Sequence, residues 1–414
     1  MYIVGGFVRD LIMERPSLDF DVVVEGDAIA LGRRLASQFG GRVVTHSRFG
    51  TAKWWIADVR PQLANQINPN QEINLADLPE SLDLIGARTE FYDYPTALPT
   101  VERSSIKLDL HRRDFTINTM ALRLDGRHYG ELYDYWGGMN DVRHGLVRVL
   151  HSLSFVDDPT RMLRAVRFEQ RFGFQIETRT RQLMDEARPL LRQVTGERLR
   201  HELELALSEE HPALLLARFQ NLELLAAIHP HLAWQASLAG PLEAALLGRL
   251  DPAWSLPEKV GHTPIRRALG LLIWLGSLPA ASAVEIANCL RLPGHLIAPL
   301  RSLFPLCQAL PSLVSAPPSQ AVGVLEEMPL ISLYSARLLN LSFEINLLLD
   351  KFILEWHTIF PATNGDDLRA LGIPSGPIYH TILDTLRAAW LDGKINNIEE
   401  ETLLLQALIV KKNG

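Results

Sequence analysis

Cysteine is nearly absent from this sequence. Two occur in 414 residues, Cys289 and Cys307, which excludes a disulfide framework and a cysteine-built zinc site and fits a reducing compartment. The histidines are scattered without ligand spacing, so there is no case for a histidine-bound metal. An excess of positive charge is missing too: 41 Lys and Arg stand against 48 Asp and Glu, a net charge of -7. Composition therefore does not announce a nucleic-acid binder, and any basic surface has to be local. No apolar run approaches membrane-spanning length without a charge or a proline. The N-terminus lacks a signal peptide, and Met1 runs directly into a strand-like segment. No repeat is regular enough for a solenoid. These absences point to a soluble, cytoplasmic protein with no membrane partner. Nothing in them specifies an oligomeric state.

What is present is apolar bulk. A hydrophobic content of 47% over this length supports a large core and two or more domains. The first stretch has short β-branched runs at residues 2–4, 19–24, 42–45, 52–59, 81–87 and 116–124, with helical patterns at 7–14 and 28–39. Residues 61–80, rich in Asn, Gln and Pro, read as a surface insertion between strands. From about residue 151, Leu and Ala recur at helical spacing between Pro and Gly breaks, as at 213–228, 241–250 and 383–391. The expected fold is α+β: a small mixed α/β head on an elongated all-helical body.

The chemistry concentrates in the head. Gly5-Gly6 separates the first strand from a helix. Glycines there let a backbone approach a phosphate, and the helix start offers free N–H groups. Arg9 lies in the first turn and can reach the same anion. Taken alone, such a turn between strand and helix is usually just a turn. Asp19 and Asp21, two apart on a strand, point to one face. Paired carboxylates repel unless a cation sits between them, and such hard oxygen ligands suit Mg²⁺. Asp83, in a later apolar strand, is a candidate third metal ligand or an edge charge.

Together these residues resemble the class II tRNA nucleotidyltransferase and poly(A) polymerase family of bacteria. Five segments carry the resemblance, over roughly the first half of the chain: Val4-Gly-Gly-Phe-Val-Arg-Asp10 with Asp19-Phe-Asp21; Arg112-Arg-Asp-Phe-Thr-Ile-Asn118; Leu132-Tyr-Asp-Tyr-Trp-Gly-Gly138; Asp157-Asp-Pro-Thr-Arg161, continuing through Arg164 to Arg167-Phe168; and Glu197-Arg-Leu-Arg-His-Glu202. The resemblance implies a polymerase-β-like nucleotidyltransferase head at 1–150 and a helical neck with the nucleotide-selecting motif at 151–215. A helical body at 216–330 and a tRNA-binding tail at 331–414 would follow. The family usually carries a helix before the first strand. Here the chain starts almost at that strand, as a piece of a longer protein or a shortened head would.

The implied reaction adds CMP and AMP from CTP and ATP, or only the final AMP, to a tRNA 3′-hydroxyl. Asp19 and Asp21 would hold the metals. Gly5, Gly6, Arg9, Arg112, Arg113, Asp114 and Asn118 would serve the triphosphate and ribose, with arginine suited to bidentate phosphate contacts. Cytosine and adenine share an exocyclic amino donor beside a ring-nitrogen acceptor, whereas uracil and guanine reverse that edge. A carboxylate with an arginine matches the first pair and rejects the second, because wrong bases leave buried polar groups unpaired. By resemblance Asp158 and Arg161 form that pair. The alternative for Asp158, ahead of Pro159, is a helix N-cap. Arg164 can face the nucleotide; Arg167, counted with it among the nucleotide-binding residues, turns away from Asp158 and suits an ion pair or a longer-range contact. Glu202 reads as a member of a helical salt-bridge face, and Glu197 and Arg198 as supports of the nucleotide-reading helix. Residues 88–109 read as a loop, and the Gly/Pro turn 371–377 as an RNA-phosphate contact or a helix connector. Competing readings are a poly(A) polymerase and a catalytically inactive RNA-binding scaffold.

Overall fold

The computed structural model describes residues 1–15, 21–67, 74–75, 78–91, 100–340 and 342–413. The chain divides into two units, one comprising Met1–Glu202 with Asn221–Ile228, the other Leu203–Gln220 with His229–Gly414.

The first unit is built on strands β1 (Tyr2–Val4), β2 (Asp21–Val24), β3 (Arg42–His46), β4 (Thr51–Trp55) and β5 (Ser81–Gly86). A separate hairpin, β6 (Arg88–Phe91) and β7 (Thr100–Arg103), precedes β8 (Met120–Arg123) and β9 (Leu132–Asp134). The sheet runs β3-β4-β5-β2-β1-β8-β9, with β2 and β5 parallel and the other neighbours antiparallel. Helices α1 (Gly6–Ile12), α2 (Ala28–Phe39), α3 (Arg60–Ile67) and α4 (Ile106–His111) complete its outer layers. Alternation sends Val22, Leu84 and Ala52 to one face, where Ala28 of α2 joins them. Tyr2, Val4, Val23 and Ala121 line the other, covered by Ile106 and Leu110 of α4.

The sheet agrees with the sequence patterns except at segment ends. The run at 52–59 is β4 plus a 3-10 turn, Ala57–Val59, and the run at 116–124 opens with a 3-10 turn, Thr116–Asn118, before β8. In the insertion at 61–80, residues 68–73 and 76–77 lie outside the described residues, and its first part belongs to α3. Residues 88–109 are a correction. They contain strands β6 and β7 and most of α4, because Thr100–Arg103 and Arg88–Phe91 pair backbone to backbone without needing an amphipathic pattern, while residues 92–99 lie outside the described residues.

The second unit is helical, apart from a two-stranded ladder between Lys259–Val260 and Thr263–Pro264. Its most buried helix is Ile265–Gly276, with every residue from Ala268 to Leu275 inside. Among the described residues one helix, Gly294–Leu313, is long and apolar enough to cross a membrane. It carries Pro299, Pro305, Pro311 and Arg301, and its Leu296, Leu300, Leu303, Leu306 and Leu310 are buried in this unit's core. The 371–377 turn closes by a hydrogen bond from the Tyr379 hydroxyl to the Ile373 carbonyl at 2.9 Å, and Pro377 starts the next helix.

Candidate functional site

The glycine turn is set by its surroundings. Gly5 has φ +73°, and a Cβ there would lie 2.6 Å from Arg113 Nη1. Both the backbone and the approaching guanidinium therefore require glycine. One residue earlier, Val4 pairs with Asp21, and Asp21 pairs with Asp83 on the next strand. Register places Lys53, Asp83 and Asp21 in one cross-strand row on one face. Asp83 is joined to Lys53 at 3.0 Å, so it already has a cationic partner. Asp19 lies outside the described residues. Among those described, no group of three or more Asp, Glu, His or Cys converges to hold a metal ion.

Behind the turn is a cavity of about 450 Å³, lined by Gly6, Arg9, Arg112, Arg113, Asp114, Asn118, Asp158, Arg161, Arg164, Arg167, Phe168 and Arg171. The fold thus brings together the glycine turn and the segments around 112–118 and 158–171, distant in sequence. The structure places eleven of the expected binding residues in or against this cavity, Gly5 through its contact with Arg113.

A continuous polar network fixes the lining. Arg9 is buried, donates to Asp10 at 2.8 Å and to Asn118 Oδ1 at 2.5 Å, and stacks 4.4 Å from the Phe172 ring centre. Burial pushes its guanidinium below the usual arginine value, against the pull of Asp10. Asn118 Nδ2 donates to Asp114 at 2.9 Å. Arg164 meets Asp114 at 3.3 Å, Glu202 at 3.1 Å and Asp158 at 3.5 Å. Its burial would depress it, but Asp114, Glu202 and Asp158 outweigh that and raise it. Asp114 is opposite: burial would raise it, yet Arg164, Asn118 and Arg161 hold it below the usual carboxylate range. Arg167 donates to Glu202 at 2.7 Å, the ion pair its position suggested.

Asp158 divides its oxygens. Oδ1 accepts from the Thr160 backbone N–H at 3.0 Å, the Thr160 hydroxyl at 2.7 Å and Arg198 at 2.7 Å. The first of these bonds closes a turn just ahead of the helix Arg161–Phe172, whose N-cap is Thr160 with no side-chain cap bond, so Asp158 is not the helix N-cap that its place before Pro159 suggested. Oδ2 faces Arg164. The Arg161 backbone N–H donates to the Asp158 carbonyl at 3.1 Å, but its side chain turns elsewhere. Its guanidinium donates to the Ser154 hydroxyl at 2.7 Å and the Arg112 carbonyl at 2.9 Å. Arginine has five N–H donors, so these bonds fix its plane and still leave donors over.

The second motif is braced from behind. The Thr116 hydroxyl donates to buried Asp141 at 2.6 Å, and Arg148 does so at 3.0 Å. Asp134 accepts from the backbone N–H of Gly138 at 2.8 Å and of Met139 at 2.9 Å. A Cβ at Gly138 would press 2.4 Å from the Thr116 carbonyl oxygen. Gly138 is thus needed for close packing under that motif, and Gly137 for its φ of +75°. Sequence reasoning missed Asp109, Ser154 and Phe172. For Asp109 a signal was present: it precedes Arg112 and Arg113 by one helical turn.

Residues 1–148 match the family model of the poly A polymerase head domain. Residues 173–235 match that of the probable RNA and SrmB-binding site of polymerase A. The A-adding tRNA nucleotidyltransferase of Geobacter sulfurreducens is 34% identical over 97% of this chain, which spans only 44% of that relative's length. The A-adding tRNA nucleotidyltransferase of Halalkalibacterium halodurans is 31% identical, with 97% of this chain and 86% of the relative covered. The solved Thermotoga maritima CCA-adding enzyme complexed with tRNA is 31% identical, with a TM-score of 0.70, covering 99% of this chain and 90% of that one. The chain belongs to the class II tRNA nucleotidyltransferase and poly(A) polymerase family.

Proposed function

We propose that this protein transfers AMP, alone or after two CMP additions, from nucleoside triphosphate to the 3′-hydroxyl of tRNA without a nucleic-acid template, in the cytoplasm. The observation that carries the reading is the cavity in which seven arginines surround Asp114 and Asp158 beside a glycine turn. Both relatives described above are named for A addition to tRNA.

In the reaction the 3′-oxygen bonds to the α-phosphorus, the bond to the β-phosphate bridge breaks, and pyrophosphate leaves. Arg112 and Arg113 are suited to the triphosphate by their position and bidentate geometry. Gly5 and Gly6 give the phosphates room. Arg9, sunk among Asp10, Asn118 and Phe172, holds Asn118 and with it Asp114 toward the ribose. Asp158 and Arg161 present an acceptor and donors to the base edge. Arg164 holds the Oδ2 oxygen of Asp158 in place, and Arg167 anchors Glu202 behind it. Magnesium bound to Asp19 and Asp21 would supply charge neutralisation at the phosphate oxygens and a more acidic hydroxyl. Asp21 offers the carboxylate oxygen this ion prefers. Asp83, level with Asp21 on the next strand and paired with Lys53, is the candidate third ligand.

The test uses tRNA lacking CCA and tRNA lacking only the final A, with labelled ATP, CTP, UTP or GTP. We expect one AMP on the tRNA ending in CC, and CMP on the shorter tRNA if all three positions are added. Long A tracts from ATP would make it a poly(A) polymerase, and no incorporation would reduce it to a scaffold. In the same assay Asp158→Ala should shift preference toward UTP or GTP by about ten- to hundredfold, from lost contacts of roughly 1–3 kcal/mol. An Asp158→Ala protein that melts earlier but keeps its selectivity would leave only the turn-closing role.

A further inference from the structure

Asp109 is wholly buried, with 0% of its surface exposed. Its Oδ1 accepts from Arg112 Nε at 3.1 Å and Nη2 at 2.9 Å, and its Oδ2 from Arg113 Nη2 at 3.2 Å. The same carboxylate takes the backbone N–H of Arg88, the first residue of β6, at 3.2 Å. One acid therefore meets two side chains of the cavity wall and the base of the β6–β7 hairpin. A buried carboxylate is costly without cationic partners. Two adjacent guanidiniums likewise repel unless an anion lies between them. Each group fixes the other's geometry.

The residual charge of this trio is positive and faces the cavity. Arg113 Nη1 lies against the glycine turn. Arg113 Nε is buried with no hydrogen-bond partner among the described residues, so Asp109 does not exhaust that side chain's donors.

We infer that Asp109 is a positioning residue: it sets Arg112 and Arg113 for the triphosphate and ties the base of the hairpin to them. This rests on the proposed reading that those arginines meet the triphosphate. Asp109→Asn keeps the shape and removes the charge. Two probes separate the roles by calorimetry, inorganic tripolyphosphate and adenosine. Tripolyphosphate affinity should fall about tenfold or more, as expected when charge-assisted geometry is lost, while adenosine affinity holds. KM for ATP should rise more than kcat falls. Amide exchange should quicken at 88–91 and 100–103 and stay unchanged in the seven-stranded sheet.

Wild-type tripolyphosphate binding by Asp109→Asn, alongside weakened binding by Arg113→Ala, overturns the inference and spares the reading. If Arg112→Ala and Arg113→Ala also bind tripolyphosphate normally, both fall. Should Asp109→Asn not fold, Asp109→Glu retains the charge one methylene away. Selective loss of tripolyphosphate binding in it supports positioning, and equal loss of both probes overturns it.

Discussion

The two units of this chain treat buried charge in opposite ways. Among the described residues, the first buries Arg9, Asp109, Asp141, Asp158, Arg161, Arg167, Glu169 and Glu202, while the second buries only Glu401. Desolvating an ion is tolerated only where partners are supplied. In the first unit most of these groups belong to or back the arginine-lined cavity. In the second the interior is leucine and alanine, and Glu401 serves a local turn. The contrast teaches that the charges of the first unit are not needed to build a stable interior, since its neighbour manages almost without them. Arg9, Asp158, Arg161 and Arg167 line one cavity instead.

The comparison breaks most visibly at the carboxylate strand. Asp21 is half-buried at the head of β2 and contributes nothing to the apolar clusters on either face. Asp21→Ala should abolish nucleotide transfer, on the order of a thousandfold or more if it shares a metal that stabilises the displacement. Melting of both units should change little. Turnover on CC-ended tRNA and a calorimetric scan measure the two sides, and near-wild-type turnover sinks the assignment.

The next effect falls on stability. Glu202 takes both Arg164 and Arg167. Glu202→Ala leaves those guanidiniums short of charge, at a cost of about 3–5 kcal/mol. The loss should appear as faster amide exchange in the helix Arg161–Phe172. Unchanged exchange there would mean the ion network is ornamental.

How much of this was legible beforehand follows the kind of interaction. The seven-stranded sheet is written in β-branched runs, and the second unit in leucine spacing, because apolar periodicity is local. The cavity lining was legible through motif resemblance, with one helical turn linking Asp158 to Arg161. What escaped was lateral. Arg161 donates to Ser154 and to the carbonyl of Arg112, and Asp158 receives Arg198. No spacing rule foretells which donor a buried acid will take from a segment 40 residues away. The hairpin was invisible for a similar reason: Thr100–Arg103 pairs through backbone groups, which every residue carries. Asp109 was the avoidable miss, since its partners lie within one helical turn.

The smallest effect sharpens the contrast from the other side. Glu401 is buried at the start of the helix Ile398–Asn413. It accepts from the backbone N–H groups of Ala362 at 3.0 Å and Thr363 at 2.7 Å, and from the Thr363 hydroxyl and Trp390 Nε1, each at 2.5 Å. Burial alone would raise its carboxyl; bonds from Thr363, Trp390 and Ala362 hold it below the ordinary glutamate value. A carboxyl depressed by folding adds stability above its unfolded pKa, about 4.3, and loses it as pH falls through the lower folded value. Glu401→Gln keeps the shape without the charge. It should cost about 1–2 kcal/mol at neutral pH, and the gap from wild type should close as the medium becomes more acidic than about pH 4. Nucleotide selectivity should stay put. Denaturant titrations at neutral and acidic pH measure the gap. A difference that persists undiminished in acid would mean the carboxylate's charge is not what matters there. An altered ratio of ATP to UTP incorporation would break the comparison itself, because a structural charge in the helical unit would then be reaching the chemistry.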